Sequence, residues 1–211
     1  VYMKTVVITG SARGLGFEIA KVFRKNNFNV VISDLNEEKL KKAKEELEKI
    51  ESDGKVSYTL CNVTKSDDIS NLIDFAKKEF EKIDIWINNA GVNQPEKPIW
   101  ELTEDEINFV LNVDLKGAIM GSKLALLQLQ KDGGGAIYNI EGYGSNDAMM
   151  LGLSIYGTSK RAITYFTDAL AKESQEKNTN VIVGKLSPGI MITDFIVNAL
   201  GDKEKINLSE K

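Results

Sequence analysis

The sequence predicts an α/β fold: a doubly wound parallel sheet with helices on both faces, three layers in αβα order. Short apolar runs and helical patterns alternate at least five times along the chain. Several of the runs are continuously apolar, as strands covered on both faces must be. A glycine-rich turn at residues 10–16 separates the first run from the first helical pattern.

Thr5–Thr9 is rich in β-branched residues, stops at Gly10 and reads as a buried parallel strand. Residues 14–28 carry Leu15, Ile19, Ala20 and Phe23 on one helical face. Residues 29–33 are a second strand. Residues 37–51 form a lysine- and glutamate-rich helix marked by Leu40, Ala43, Leu47 and Ile50. Residues 56–61 are a third strand. Ser66 or Asp67 is expected to cap a helix over 66–81, with Ile69, Leu72, Ile73 and Ala76 inward. Residues 83–87 are a fourth strand, running into Asn88-Asn89-Ala90-Gly91. Thr103 and Glu106 fit a capping box that opens a long helix to about Gln130. Gly135–Ile140 is a fifth strand, followed by a loop rich in methionine and leucine through Leu153. Residues 155–173 are the next helix. Val181–Leu186 is a sixth strand, ending at Ser187-Pro188-Gly189. No internal repeat or low-complexity segment interrupts this order, so one domain is expected over 1–211.

The chain of 211 residues contains no histidine and one cysteine, Cys61. Those counts exclude a Ser-His-Asp triad, a Cys-His pair and a Cys₂His₂ or Cys₄ zinc site, and no metal is expected. Acid-base chemistry falls to Asp, Glu, Lys, Tyr or Cys61. Lys and Arg total 27 against 31 Asp and Glu, a formal charge of -4. The lysines of 37–51 and 77–82 alternate with glutamates, so no basic stripe forms and no nucleic-acid partner is expected. No run approaches the length of a membrane helix. The first residues read as a strand and not as a signal peptide, which makes the cytoplasm the expected location.

Two elements carry chemistry. In the turn Gly10-Ser11-Ala12-Arg13-Gly14-Leu15-Gly16, Gly10 permits a sharp bend and Gly14 lets a pyrophosphate approach the backbone. Gly16 lets helix pack closely on strand. The helix N-terminus then faces the phosphates. Asp34 ends the second strand, 24 residues after Gly10. A carboxylate there accepts bonds from both adenosine ribose hydroxyls and repels a 2′-phosphate, which favours NAD over NADP. Arg13 is the opposing residue, able to sit near a 2′-phosphate. The second element is Tyr156-Gly157-Thr158-Ser159-Lys160. Its Tyr and Lys are four apart on a helix and face the same way, so Lys160 is expected to lower the pKa of Tyr156.

With these residues the chain resembles the short-chain dehydrogenase/reductase family over nearly its whole length, a Rossmann-type fold. The family's glycine loop matches Gly10, Gly14 and Gly16, and its Asn-Asn-Ala-Gly segment is 88–91. Its adenine contact falls on Asn62-Val63, where an aspartate is more usual than Asn62. Its catalytic asparagine falls on Asn112, its Tyr-x-x-x-Lys pair on Tyr156 and Lys160, and its Pro-Gly segment on Pro188 and Gly189. The resemblance implies a cofactor site made of Gly10, Ser11, Arg13, Gly14, Leu15, Gly16, Asp34, Leu35, Asn62, Val63, Asn89, Ala90, Gly91, Tyr156, Lys160, Pro188, Gly189, Ile190 and Thr193. It implies that Tyr156 exchanges the substrate proton, that Lys160 assists and binds the nicotinamide ribose, and that Asn112 holds a water linked to Lys160. Hydride then moves between the nicotinamide and a carbonyl or carbinol carbon.

One departure stands out. The family ends its fifth strand with a Ser-Ser pair, and Glu141 and Gly142 occupy that place here. Ser145 is the expected catalytic substitute, although it precedes Tyr156 by only 11 residues where about 13 is usual. Replacement by Tyr143, or altered activity, are the other readings. The run Asn139-Ile140-Glu141-Gly142-Tyr143-Gly144-Ser145 is similar to the chlorophyll b reductase-like branch. That branch favours NADP and lacks an acid at the Asp34 position, and its pigment substrate is not carried over.

The expected function is hydride transfer between NAD(H) and a small, largely apolar carbonyl or alcohol substrate. The alternatives are an NADP-dependent reductase and a non-catalytic dinucleotide-binding sensor or assembly protein. Met149, Met150, Leu151, Leu153, Ile190, Met191 and Trp100 would wall the substrate pocket, or pack against a partner subunit. The resemblance implies a homodimer or homotetramer through helices 104–130 and 154–173, with Ala118, Leu126, Gly157, Ala162 and Leu170 at the contact. Only about 22 residues follow Gly189, so the last helix and strand of the family are expected to be missing.

Overall fold

The computed structural model describes residues 2–188 apart from 147 and 150. Six strands form one sheet: β1 (Thr5–Thr9), β2 (Asn29–Asp34), β3 (Val56–Leu60), β4 (Ile85–Asn88), β5 (Gly135–Ile140) and β6 (Val181–Leu186). Their order is β3-β2-β1-β4-β5-β6 and every pairing is parallel. The chain winds one way from β1 to β3 and the other way from β4 to β6. Connections therefore diverge between β1 and β4, which leaves a crevice at the carboxyl ends of those strands. This is the Rossmann-type arrangement that the sequence predicts.

The helices are α1 (Gly14–Lys25), α2 (Glu37–Glu48), α3 (Ser66–Phe80), α4 (Glu104–Val110), α5 (Ala118–Lys131) and α6 (Ser154–Glu176). Alternate residues of a strand point to opposite faces. Val6, Ile8, Val30 and Ile32 meet Ala20 of α1 and Leu40 and Leu47 of α2. Val7 and Val31 meet Ile69 and Leu72 of α3 and Ala125 and Leu129 of α5. Both faces are dry, which is why the strand sequences are apolar without alternation. Among the described residues no helix is long and apolar enough to cross a membrane.

Several boundaries differ from the sequence reading. The helices expected over 14–28 and 37–51 end at Lys25 and Glu48. The first stop is a local turn in which Asn27 takes a φ of 60°. The second follows from Arg24, whose buried guanidinium donates to the carbonyls of Leu47, Ile50 and Gly54 and closes that end of α2. Neither Ser66 nor Asp67 caps α3. Lys65 stands at the cap position without a side-chain bond, and Asp68 instead accepts from the Asn62 N–H at 2.9 Å. β4 starts at Ile85; Ile83 is buried but lies before the strand. The capping box of Thr103 and Glu106 is present. The long helix that it opens contains a π-helical segment, Leu111–Gly117, between α4 and α5. The region after Pro188 lies outside the described residues, and with it the expected absence of a last helix and strand.

A buried polar network ties the middle of the sheet to α5 and α6. The Asn88 amide donates to Asn139 Oδ1 at 2.8 Å and to Ser122 Oγ at 2.9 Å, and its Oδ1 accepts from the Trp86 indole at 2.8 Å. Asn139 passes the chain on to Thr167 Oγ1 at 2.9 Å. Every member is satisfied, so the network orders four elements at little desolvation cost. Asn88→Ala should strip partners from three buried groups. We expect a loss of about 3 kcal/mol in unfolding free energy, read as a lower urea midpoint at unchanged slope.

Candidate active site

The crevice between β1 and β4 is built by glycine. Gly10 has a φ of +61°, and a Cβ there would lie 2.7 Å from Ala90 Cα. At Gly16 a Cβ would meet the Gly10 carbonyl at 2.7 Å. The Asn89 amide fastens this approach by donating to the carbonyls of Thr9 at 3.0 Å and Gly10 at 2.8 Å. Gly14 differs. Its φ is +59°, and a Cβ would touch nothing within 4 Å. It faces open space beside the N-terminus of α1, where Arg13 supplies no side-chain cap and the first turn holds no acid. Backbone donors and the positive end of the helix dipole are thus left for an anion. A dinucleotide pyrophosphate fits this cradle.

Ser11 is buried and takes a structural part, donating to the Ile8 carbonyl at 2.7 Å and accepting from the Ser33 N–H at 3.1 Å. Leu15 packs into the core beneath the loop. The Asp34 carboxylate turns back onto the loop, where it accepts from the Ala12 N–H at 3.4 Å and the Leu35 N–H at 2.7 Å. Leu35 is exposed beside it. Asn62 spends its amide oxygen on Thr64, at 3.1 Å to the N–H and 2.8 Å to the hydroxyl. Val63 lies under Gly117, where a Cβ would meet its Cγ2 at 2.9 Å. Pro188 is exposed just beyond β6. Gly189, Ile190 and Thr193, with Met150 and Met191, lie outside the described residues.

Across the crevice, α6 presents Tyr156 and Lys160, both buried, with Lys160 Nζ 5.5 Å from the Tyr156 ring centroid. Gln94, itself buried, caps the start of this helix from a distance. Its Oε1 accepts from the Ile155 and Tyr156 N–H groups at 2.8 and 2.9 Å, and its amide donates to the Gly152 carbonyl. Gly142 lies against the Tyr156 hydroxyl, since a Cβ there would stand 2.5 Å from Tyr156 Oη and 3.1 Å from Lys160 Cε. The described bonds of Ser145 are made by its backbone, to Gly142 and Arg161, and do not bring its hydroxyl to Tyr156. The Tyr143 hydroxyl donates to the Met149 carbonyl at 3.3 Å.

One expectation changes here, and one residue is added. The π-helical segment turns Asp114 to within 3.6 Å of Lys160 Nζ. Tyr156 is not lowered below the ordinary tyrosine value. Burial pushes its pKa up, and the Asp114 charge pushes it further the same way. Asp114 is itself raised by burial, against the pull of Lys160 and of the Val92 N–H. Cys61 leaves the set of acid-base groups, since burial and Asp68 push its thiol up to about 12. Sequence reading missed Asp114 and Gln94. Asp114 had a signal: it shares a helical stripe with Val110, Gly117 and Ala118, where a charge faces the core. Gln94 had none, because its partners lie about 60 residues away.

A glycine cradle at the switch point of a doubly wound sheet, with a buried Tyr-Lys pair beside it, has the layout of a dinucleotide-binding fold. Residues 4–204 match the model of the short chain dehydrogenase family. The chain belongs to that family. It is 34% identical over 202 residues to the chloroplastic chlorophyll(ide) b reductase NOL of Oryza sativa, a match covering 94% of this chain. It is 31% identical over 193 residues to a diacetyl reductase of Staphylococcus epidermidis, covering 91% of this chain and 73% of that one. A short chain dehydrogenase structure from Mycobacterium smegmatis superposes with a TM-score of 0.84 at 28% identity, covering 90% of this chain and 78% of that one. The chain spans 59% of the length of the rice reductase. That chloroplastic relative overturns the expected cytoplasmic location. Compartment is written in targeting segments and not in the composition of a folded domain.

Gly142→Ala should push Tyr156 or the loop aside. Displacement of a reacting group by about 1 Å costs on the order of a hundredfold in rate, so we expect a loss of that order in kcat/KM. The thermal unfolding midpoint, measured in parallel, should stay near that of the parent.

Proposed function

We propose that the chain transfers hydride between NAD(H) and the carbonyl or carbinol carbon of a small, largely apolar substrate. The reading is carried by the Tyr156 hydroxyl, buried over Gly142 with Lys160 one helical turn along. A bound nicotinamide dinucleotide supplies or accepts the hydride. Tyr156 gives its proton to the carbonyl oxygen, or takes one from the carbinol. Lys160 steadies the phenolate that reduction leaves and is within reach of a ribose in the crevice. The loop from Gly10 to Gly16 cradles the pyrophosphate, Asp34 and Leu35 take the adenosine ribose, and Asn62 and Val63 lie toward the adenine. Asn89, Ala90 and Gly91 line the nicotinamide half, which Pro188, Gly189, Ile190 and Thr193 would complete. Ser145 would need to turn inward to polarise the substrate, and Asn112 to hold a water on its backbone. The enzyme reading is kept over a non-catalytic sensor because Tyr156 and Lys160 are both present and buried together.

The preference for NAD rests on Asp34, whose carboxylate lies where a 2′-phosphate would meet like charge. Arg13 is exposed at the same loop and supports NADP as the second reading. The apolar substrate is supported by Trp100, Met149 and Leu151, which are 82%, 91% and 93% exposed. The relatives named above are, by their names, reductases of chlorophyll(ide) b and of diacetyl, and the second is nearer to what we propose. For assembly, Ile119, Leu126, Leu127, Phe166 and Leu170 line an apolar groove between α5 and α6 that fits a homodimer or homotetramer. Ala118 and Gly157 are less suited to that contact. Ala118 is buried within the chain, and Gly157 is approached by Gly144.

Two measurements test this. With NADH and a panel of aldehydes and ketones, the parent should consume NADH, and Tyr156→Phe should lose about a hundredfold or more of that rate. Cofactor binding without turnover across the panel overturns the reading. In fluorescence titrations NADH should bind at least about tenfold more tightly than NADPH, and Asp34→Ala should erase most of the difference. Equal affinities in the parent would remove the case for NAD.

A further inference from the structure

Asp114 has no part in the scheme above, yet it is 1% exposed. Its Oδ1 accepts from the Val92 N–H at 2.7 Å. Its Oδ2 has no hydrogen-bond partner among the described residues and lies 3.6 Å from Lys160 Nζ. A carboxylate this dry is costly unless an opposite charge meets it, and Lys160 is that charge. Gly91 closes a third side, since a Cβ there would stand 3.5 Å from Lys160 Nζ and 3.7 Å from Asp114 Oδ1. The segment after β4, the π-helical segment and α6 therefore converge on one ion pair.

The pair changes the electrostatics at Tyr156. Lys160 alone favours the phenolate, and a neighbouring carboxylate works against it. Among the described residues, the charged neighbours on the adjoining elements have partners of their own. Glu141, at the end of β5, accepts from the Thr164 hydroxyl at 2.8 Å, and Arg161 on α6 donates to the Ser145 carbonyl at 2.9 Å. Tyr143 in the loop after β5 is engaged with Met149. In a water-poor site, a cation and an anion held together act on the phenol nearly as a neutral unit.

We propose that Asp114 is a positioning residue whose carboxylate holds the Lys160 ammonium and offsets its charge at Tyr156, so that the site is set to give a proton rather than to take one. This rests on Tyr156 being the proton donor. In reduction the Tyr156 proton goes to the carbonyl oxygen while the carbonyl carbon receives the hydride given up by NADH or NADPH. The C=O π bond breaks, C–H and O–H bonds form, the cofactor is oxidised, and a phenolate remains to be reprotonated.

The test needs no substrate. The pH-dependent near-ultraviolet absorbance of the full chain, minus that of Tyr156→Phe, isolates the Tyr156 phenolate. In the parent it should not form at or below pH 10, the ordinary tyrosine value; formation there overturns the proposal even without a further variant. Asp114→Asn keeps an acceptor for Val92 and removes the charge. Its phenolate should form at least about one pH unit earlier than in the parent, while Asp114→Glu should behave as the parent. Coincident onsets in a folded Asp114→Asn overturn the proposal. Should that variant fail to fold, Asp114→Ser takes its place with the same expectation. Where a carbonyl is turned over, the alkaline limb of kcat/KM for reduction should move down by the same shift, whereas a merely structural role would lower the rate without moving the limb. If no carbonyl is turned over, the titration still decides the role of Asp114, and the absence of turnover bears on the proposed function alone.

Discussion

Everything at the carboxyl edge of the sheet depends on one approach: the turn after β1 lies against the segment after β4 too closely for a side chain at Gly10 or Gly16. Asn89 seals it by donating to two carbonyls of that turn. Thr9 adds a hydroxyl that accepts from the N–H groups of Asn89 and Ala90 at 3.1 Å each. The two halves of the sheet wind away from this line, so the crevice above it is where the topology leaves room. The same contact that closes the core thus opens the site.

The second half of the site is held from below. Asn88 and Asn139 sit at the ends of adjacent strands and bind α5 and α6 through Ser122 and Thr167. About two and three turns before Thr167 on the same helix lie Lys160 and Tyr156, so the network and the Tyr-Lys pair share a scaffold. Gln94 then fixes the start of α6 from the loop after β4. A side chain whose helix is held at its start and along its length is pre-organised, as the proposed proton donor would need to be. The burial that provides it also raises Tyr156, and so makes each nearby charge matter more.

The fold was legible because its signals are local and repeated. Continuous apolar runs such as Thr5–Thr9 suit a strand covered on both faces, and the glycines at 10 and 16 suit a turn pressed against backbone. Tyr156 and Lys160 were legible for the same reason, being four apart on one helix. The absence of the family serine was legible at Glu141 and Gly142, but the close approach of Gly142 to the Tyr156 hydroxyl was not, because it joins residues on two elements. Asp114 was half legible. Its helical phase marks it as buried, but its partner lies 46 residues away on another helix.

By itself, the sequence determined the alternation of strand and helix, the glycine turn, the carboxylate at the end of β2 and the Tyr-Lys pair on α6. Each of these is a matter of spacing within a few turns of chain, and local geometry follows from covalent periodicity. Only the tertiary structure decided which charge faces Lys160, what caps α6, and how closely Gly142 approaches the Tyr156 hydroxyl. Those contacts join residues far apart in sequence across a dry interior, where a displacement of about an ångström or one unpaired charge changes the energy by more than any local preference.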